Sequence, residues 1–532
     1  MKNFMYLTGL FLLITAQTAT AQGIAPEIDW EAHYDVPTGG VGFMDYTDDF
    51  IIGLSSVPGG SSANFFDDAG VEILMPELYG VEWVEPVSVN TQSLSHTYFV
   101  SLQATSNMLT YSALENATHL FDGDSLWLPA TNSWLETIEF AVIPGETVDQ
   151  LYITGMAFNH VLNKNVCVVK RLDYDKSIQS FAEYEEIAFI FSSKNTYPTD
   201  MLISPSGHIF IWGYYDKNPA GTTHDLFLTK MSTGGDIIFS KSFASYSGQD
   251  DIASHLVIDN SGYVYGLSQS TDNVAPFSQH IAAFRINPNN GKSVWVKRFG
   301  VGSEGSEVAY CADGNNAGTG LAFGGNVSDG AGGRNAKVWR LDQNGNAIWN
   351  KTISFGPTGT TEACRGVAFS PYSGDVYITG ISGPHYFIAC MASTVNTYIW
   401  APETRNITGD AIDAPMQIGF NDSAVFTIGG NCDNGGSTEG AILHYNEIPE
   451  KIGATEPSAI KLFPNPTSDI VHIQTNEKVG TVFVFDVYGN CVQTVQINAE
   501  VTQINLHDVP SGTYYFKIET NGTLEQLKCV KL

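Results

Sequence analysis

An all-β chain is what the sequence predicts: a ring of repeated four-stranded sheets, followed by a small β-sandwich. Three observations lead there. The 532 residues include 52 Gly, 24 Tyr and 30 Phe, a composition that favours strands and turns over helix bundles. Two short marks recur along most of the chain at a spacing near 55 residues. Beyond residue 460 that spacing stops, and short alternating strands separated by Pro, Gly and Asn take over.

Bulk composition narrows the function before any motif is read. Hydrophobic residues make up 43% and charged residues 15%, which is globular rather than disordered. The formal net charge of −31 repels phosphate backbones, so nucleic acid and anionic membranes are poor partners.

The first element is a leader. Lys2 precedes an apolar run over residues 4–14, and the small-residue triplet Ala19-Thr20-Ala21 places cleavage before Gln22. That run falls short of the roughly 20 residues needed to span a bilayer. No later stretch is long enough either, so the expected mature chain is exported, soluble and without a transmembrane segment. The seven cysteines are odd in number and contain no C-x-x-C pair, so they read as buried thiols rather than a disulfide framework. Pairing of Cys491 with Cys529 is left open.

The repeat occupies residues 22–447. Its first mark is a β-branched or aromatic run ending in Gly, at Gly53, Gly155, Gly213, Gly266, Gly324, Gly380 and Gly429. Tyr98-Phe99-Val100 fills the gap between the first two. The second mark is a turn residue followed four positions later by a large apolar one: Gly70 with Leu74, Gly123 with Trp127, Gly235 with Phe239, Gly291 with Trp295, Gly345 with Trp349, Asn396 with Trp400. Ser177 with Phe181 has the spacing without the turn residue. Asn290-Gly291 and Asn344-Gly345 are hairpin signals, and the residue four along then lies on a fixed face of the outgoing strand, filling a gap between neighbouring sheets.

A long period with four short strands per unit is the signature of a β-propeller blade. Eight Gly-type strands occur, but only seven large residues follow them. Trp30, alone at the front of the mature chain, supplies the eighth. The N-terminal strand is therefore expected to complete the last blade, closing an eight-bladed ring. Seven blades is the alternative, because the first two units are the least regular. Solenoid turns would be shorter, and stacked sandwiches do not explain the interleaved marks. The run from Asp250-Asp251-Ile252-Ala253 through Ser261-Gly262-Tyr263-Val264-Tyr265-Gly266 to Gly291 and Trp295 resembles bacterial surface propeller repeats of the SBBP kind.

Residues 448–460 form a polar linker with Pro and Gly, and residues 461–532 form the predicted β-sandwich. Leu462-Phe463-Pro464-Asn465-Pro466-Thr467 cannot be helical. The Pro464-Asn465-Pro466 opening, the Asp486/Gly489 turn, the Gly512/Tyr514 strand and the closing Lys528 resemble the type A sorting domain of the type IX secretion system. The resemblance implies passage through the inner membrane on the leader and then recognition by the outer-membrane translocon. It also implies a cut between about residues 448 and 462, with the cargo held on the outer membrane by lipopolysaccharide or released.

Catalytic motifs are not apparent. No Gly-x-Ser-x-Gly elbow, His-Glu-x-x-His pair, P-loop or dinucleotide fingerprint occurs, and the 12 histidines show no metal-ligand spacing. No catalytic, cofactor-binding or metal residue is assigned. The acidic groups Asp45/Asp48/Asp49, Asp122/Asp124, Asp173/Asp175 and Asp250/Asp251 can supply carboxylates to Ca²⁺, though none has the spacing of a self-sufficient loop. The strands ending at Trp295 and Trp349 resemble those of quinone-dependent eight-bladed enzymes in a few units only.

Three functions stay open. The first is a surface binding or adhesion module for a glycan or protein ligand. The second is an exported polysaccharide- or peptide-degrading enzyme, and the third a structural surface protein. Binding is preferred. Residues 301–333, with Glu304, Glu307 and Asp313, are the candidate mouth loop; aromatics at a mouth would favour glycan binding, and paired acids at the axis hydrolysis.

Overall fold

A four-stranded sheet with two apolar faces cannot bury both alone, and this chain solves that by stacking such sheets side by side. The computed structural model describes residues 28–531 except 36–40, 47–50, 58–59, 67–71, 74–84, 92–93, 104–107, 116–118, 129–130, 146, 185, 219, 246–249, 272–278, 301–306, 316–319, 331, 357–359, 372, 406–409, 412–416, 421–425, 435–436, 446–460, 464–466, 468, 475–479, 486–490, 500, 508 and 521–522. Ala19, Ala21, Gln22, Leu74, Glu304, the linker 448–460, Pro464, Asn465, Pro466, Asp486 and Gly489 lie outside the described residues. The chain divides into two compact units, Met1–Pro449 and Glu450–Leu532. Among the described residues no helix is long and apolar enough to cross a membrane.

The first unit is all-β and propeller-like. Among its described residues eight antiparallel sheets follow one another: sheet 1 (41–73), sheet 2 (85–127), sheet 3 (132–189), sheet 4 (196–243), sheet 5 (250–299), sheet 6 (307–353), sheet 7 (362–405) and sheet 8 (410–445). Sheets 1, 2 and 4 to 7 are simple four-strand meanders. The first strand of each touches the first strand of the next, and Val41–Tyr46 of sheet 1 touches Gln417–Phe420 and Phe426–Asn434 of sheet 8. The series of neighbours thus returns to its start, with these inner strands around one axis.

Closure is made by the front of the chain. Strand Ile28–Asp35 pairs antiparallel with Ser437–Tyr445, setting Trp30 opposite His444 and Glu31 opposite Leu443. That makes it the outermost strand of sheet 8, whose other members come from the far end of the repeat. Ala441, Ile442, Leu443 and Tyr445 beneath it are buried.

Gly213, Gly266, Gly324 and Gly380 of the first mark lie on the second strands of sheets 4 to 7, where the space above each is taken. A methyl group on Gly266 would sit 2.7 Å from the Trp212 ring of the preceding sheet, whose indole N–H donates to Leu267 O at 2.8 Å. The second mark works at the outer hairpins. Gly291 and Gly345 have φ of +66° and +74°, which glycine alone adopts without strain. Phe239 of sheet 4 lies under Gly291 of sheet 5, and Trp295 of sheet 5 lies under Gly345 of sheet 6. Trp295 donates to Gln343 O at 2.8 Å, and Trp349 of sheet 6 donates to Ala392 O of sheet 7 at 2.9 Å. Trp400 is buried in a cluster that reaches Leu443 and Tyr445 of sheet 8. Trp127 stands opposite Met108 in sheet 2.

Phe181 departs from this pattern. Its ring faces Tyr111 at 4.6 Å and Tyr98 at 6.4 Å, toward sheet 2 rather than sheet 4. The outer edge of sheet 3 is broken into Ser180–Glu183 and Ile187–Phe189, both paired with Lys164–Asp175. Ile187 from the second piece supplies the side chain under Gly235 of sheet 4.

The second unit is a β-sandwich. One sheet joins Lys461–Phe463, Ile470–Gln474 and Val501–Asn505; the other runs Cys491–Ile497, Gly480–Phe485, Gly512–Thr520, Thr523–Lys531. Val471, Ile473 and Ile504 meet Val482, Val484, Phe516 and Ile518 in its core. Cys491 and Cys529 sit on opposite edge strands of one sheet, about 14 Å apart at the usual strand spacing, and the Cys529 thiol is free. Their pairing is ruled out by that topology.

Removing residues 22–35 exposes the edge of Ser437–Tyr445, a ready template for another chain. The truncated protein is expected to elute as dimers or larger aggregates in size-exclusion chromatography, where the full chain elutes as a discrete species.

Candidate functional site

The break in sheet 3 builds a cleft. Tyr184 N–H still donates to Arg171 O at 3.2 Å, and Lys170 Nζ donates to Tyr184 O, so the chain leaves the sheet edge at residue 184 and rejoins it at Ile187. Between this segment and the outer hairpin of sheet 4 lies a cavity of about 420 Å³. Val169, Ile187, Ile209 and Met231 give it an apolar floor, with Tyr152, Tyr184, Arg171, Glu186 and the Ser232–Gly235 turn around it.

The charged groups there are held fast. Arg171 gives Nε and Nη2 to the two Asp173 oxygens, both at 2.7 Å, and Nη1 to Thr233 O at 3.1 Å. Its guanidinium also lies 4.4 Å from the Tyr184 ring centre. Glu186 accepts from Asn132 Nδ2 and Trp134 Nε1, each at 2.6 Å. The Tyr152 hydroxyl donates to Thr233 O at 3.0 Å, and burial raises its pKa. Groups tied to fixed partners in this way hold a shape rather than pass protons.

The axis has a different character. The inner strands of sheets 3 to 7 each carry a β-bulge, at Thr137/Glu139, Pro198/Asp200, Ala253/Leu256, Ala309/Cys311 and Cys364/Gly366. Asp200, His255, Tyr310 and Arg365 recur at 55-residue steps in four of these strands. The Arg365 guanidinium stacks 3.6 Å from the Tyr310 ring centre. Burial, and then the nearby Glu139, push the Asp200 carboxyl well above its usual range, yet its Oδ2 already accepts Leu256 N–H of the next sheet at 2.6 Å. Asp313 does the same for Phe369 N–H at 2.7 Å, and burial raises its pKa to about 6.

What is described of residues 301–333 is mostly strand rather than the expected mouth loop: Glu307–Gly314 and Leu321–Ser328, the first two strands of sheet 6. Glu307 is buried against Lys337 Nζ at 3.1 Å. In the sheets on either side, Asp251 accepts Ser245 N–H and Glu362 accepts Phe355 and Gly356 N–H, so in sheets 5 and 7 an acid near the start of the inner strand pins the incoming linker. Of the acidic groups singled out in the sequence, Asp173 is held by Arg171, Asp175 by Ser177 and Asp250 by His224. Among the described residues no three His, Cys, Asp or Glu side chains are grouped to hold a metal.

At the end of sheet 4 where the inner strand begins, Tyr197 and Tyr214 stack at 4.8 Å. His224 stands edge-on to both, its Nδ1 2.8 Å from Asp250 Oδ1. This is a smaller aromatic surface, open to solvent in part.

In the second unit the motif residues hold one loop. Gly512 is exposed, and the buried Tyr514 donates its hydroxyl to Pro510 O at 2.6 Å. Lys528 stands opposite Tyr515 in the sheet. The lysine that closes the fold is instead Lys531, 7% exposed, whose Nζ donates to Leu506, Val509 and His507 carbonyls at 2.8, 2.6 and 3.3 Å. Strand alternation, which buries positions 529 and 531 together, was the signal available in the sequence.

Comparison with known proteins agrees on the tail. Residues 461–531 match the family model of the secretion system C-terminal sorting domain. Such a tail engages the type IX secretion machinery, and the protein carrying it is exported to the cell surface or secreted. No curated protein is significantly similar to this chain. Among solved structures, it is similar to PorZ, described as an essential surface component of the type IX secretion system of Porphyromonas gingivalis, at 12% identity over 93% of this chain and 76% of that one, with a TM-score of 0.24. It is similar to the β-propeller domain of the Trilobed protease from Pyrococcus furiosus at 8% identity over 70% and 99%, TM-score 0.33. A third is the dihydro-heme d1 dehydrogenase NirN, at 10% identity over 90% and 81%, TM-score 0.41.

Two outcomes follow from these environments. Lys531→Met leaves three carbonyls without their donor and should lower the unfolding free energy of the second unit by about 1–3 kcal/mol, read by denaturant titration. Burial lowers the His255 pKa from 6.5 to about 4. The unfolded chain therefore binds more protons in that window, and stability falls as pH drops through it, by at most about 3 kcal/mol. Asp313 opposes this, since its raised pKa makes the folded state bind more protons between 3.8 and about 6. Urea midpoints measured at about pH 7 and about pH 5 should therefore drop less in His255→Gln than in the parent.

Proposed function

We propose that this protein is an eight-bladed propeller binding module, exported on its first twenty-one residues and delivered by the type IX machinery through its tail. A cut between about residues 448 and 462 frees the module, which engages an extracellular glycan or protein ligand at the cleft between sheets 3 and 4. One observation carries this reading. Sheet 3 breaks its own outer strand to build an apolar-floored cleft whose Arg171, Asp173 and Glu186 are locked in place. A preformed cavity with an apolar floor and a few convergent polar groups is the usual form of a ligand site.

The alternative, an exported polysaccharide- or peptide-degrading enzyme, draws on the raised Asp200 carboxyl beside Glu139. That carboxylate is engaged by the Leu256 N–H, which weighs toward a structural role.

The test is a glycan and peptide binding screen of the mature chain, with and without Ca²⁺. Binding is expected to weaken about tenfold in Tyr184→Ala, which removes an aromatic wall, and to be lost in Ala188→Trp, which fills the cleft. Unchanged affinity in both variants would move the ligand elsewhere. Turnover of a bound glycan would favour the enzyme.

A further inference from the structure

Two thiols meet across the boundary between sheets 6 and 7. Cys311 lies just after the bulge of Glu307–Gly314, and Cys364 lies just before the bulge of Glu362–Phe369. Their sulfurs are 3.8 Å apart, although 53 residues separate them in sequence. Gly324 marks the spot. It stands opposite Cys311 in sheet 6, and a methyl group on it would lie 2.2 Å from Cys364 Sγ and 3.1 Å from Cys311 Sγ. Its lack of a side chain leaves both sulfurs one shared space. Cys311 is half-buried and Cys364 is buried, so Cys311 is the more exposed of the two.

We propose that Cys311 and Cys364 form an inter-sheet disulfide when the protein enters an oxidising compartment. The bond rests on the export reading above, because disulfides persist in the periplasm and outside the cell. Closing it brings the sulfurs from contact to about 2 Å. The oxidant is an external disulfide, of a thiol oxidase or of glutathione. Cys311 thiolate attacks one of its sulfurs, forming a mixed disulfide and releasing the first thiol. Cys364, deprotonated, then attacks Cys311 Sγ and releases the second thiol. Two protein thiols are oxidised, one external disulfide is reduced to two thiols, and the electrons balance. Burial holds the Cys364 thiol well above its usual range, which fits Cys311 as the first to react.

The experiment treats the reduced, folded full chain with oxidised glutathione at mildly alkaline pH. Free thiols are then alkylated in denaturant and the peptides mapped by mass spectrometry. A linked Cys311–Cys364 peptide, lighter by two hydrogens, is expected, with Cys167 and Cys390 alkylated. Cys364→Ala should trap glutathione on Cys311. Alkylation of both cysteines in the wild-type chain after prolonged oxidation, or Cys311 linked to another cysteine, would overturn the proposal. The same map on protein recovered from outside the cells separates the two readings. Linkage in the test tube with free thiols in the recovered protein would sink the oxidising export route and leave the thiol geometry standing.

Discussion

Backbone pairing between Ile28–Asp35 and Ser437–Tyr445 is the constraint on which the first unit depends. Every other sheet is built from consecutive strands, and each covers a face of the next. Such a series has two unsatisfied ends unless it returns on itself. Bringing the two termini of the repeat into one sheet removes both ends at once, and it converts a set of local hairpins into a single cooperative body. The cost is the loop entropy of joining residues far apart in the chain, which grows only logarithmically with length.

Between sheets the contacts are of two chemical kinds. Apolar contacts are aromatic rings laid over glycines, as Trp212 over Gly266 and Trp295 under Gly345, with the indole N–H satisfied by a carbonyl of the neighbour. Polar contacts are buried carboxylates that accept main-chain N–H groups, from the incoming linker at Asp251 and Glu362, and from the neighbouring inner strand at Asp200 and Asp313. A buried carboxylate is tolerated only where such donors meet it. Most acids near the axis therefore serve the frame, which leaves recognition to the place where the frame is interrupted.

That division explains what could be read from the residues alone. Gly291, Gly345 and the aromatics after them are local signals, because a positive-φ turn and strand alternation act within a few residues. The all-β fold was legible on that basis, and the sorting tail from its ordered motif residues. Ile187 was not, since it takes the place of Phe181 through a break that no spacing announces. The partnership of Asp200 with Leu256 joins residues a whole unit apart, so neither strand shows it alone. The cleft around Arg171 had no signature either; its side chains come from four strands, a broken edge and a hairpin. Lys528 and Lys531 differ only in which one faces the loop carbonyls, a matter of register.

The interlock of aromatic and turn has a direction. Phe239 reaches forward to Gly291, and Trp295 reaches forward to Gly345, so sheets 4 and 5 each present a plug to their successor, and sheets 5 and 6 a socket to their predecessor. A tandem duplication of one such unit would carry a matching plug and socket with it, and the copy would fit between its neighbours without new mutations. Growth of the array by recombination is therefore unobstructed along its length, while the circumference that the terminal strands must close sets how many copies survive selection. Sheet 3 fills the same joint from Ile187, after the break in its outer edge.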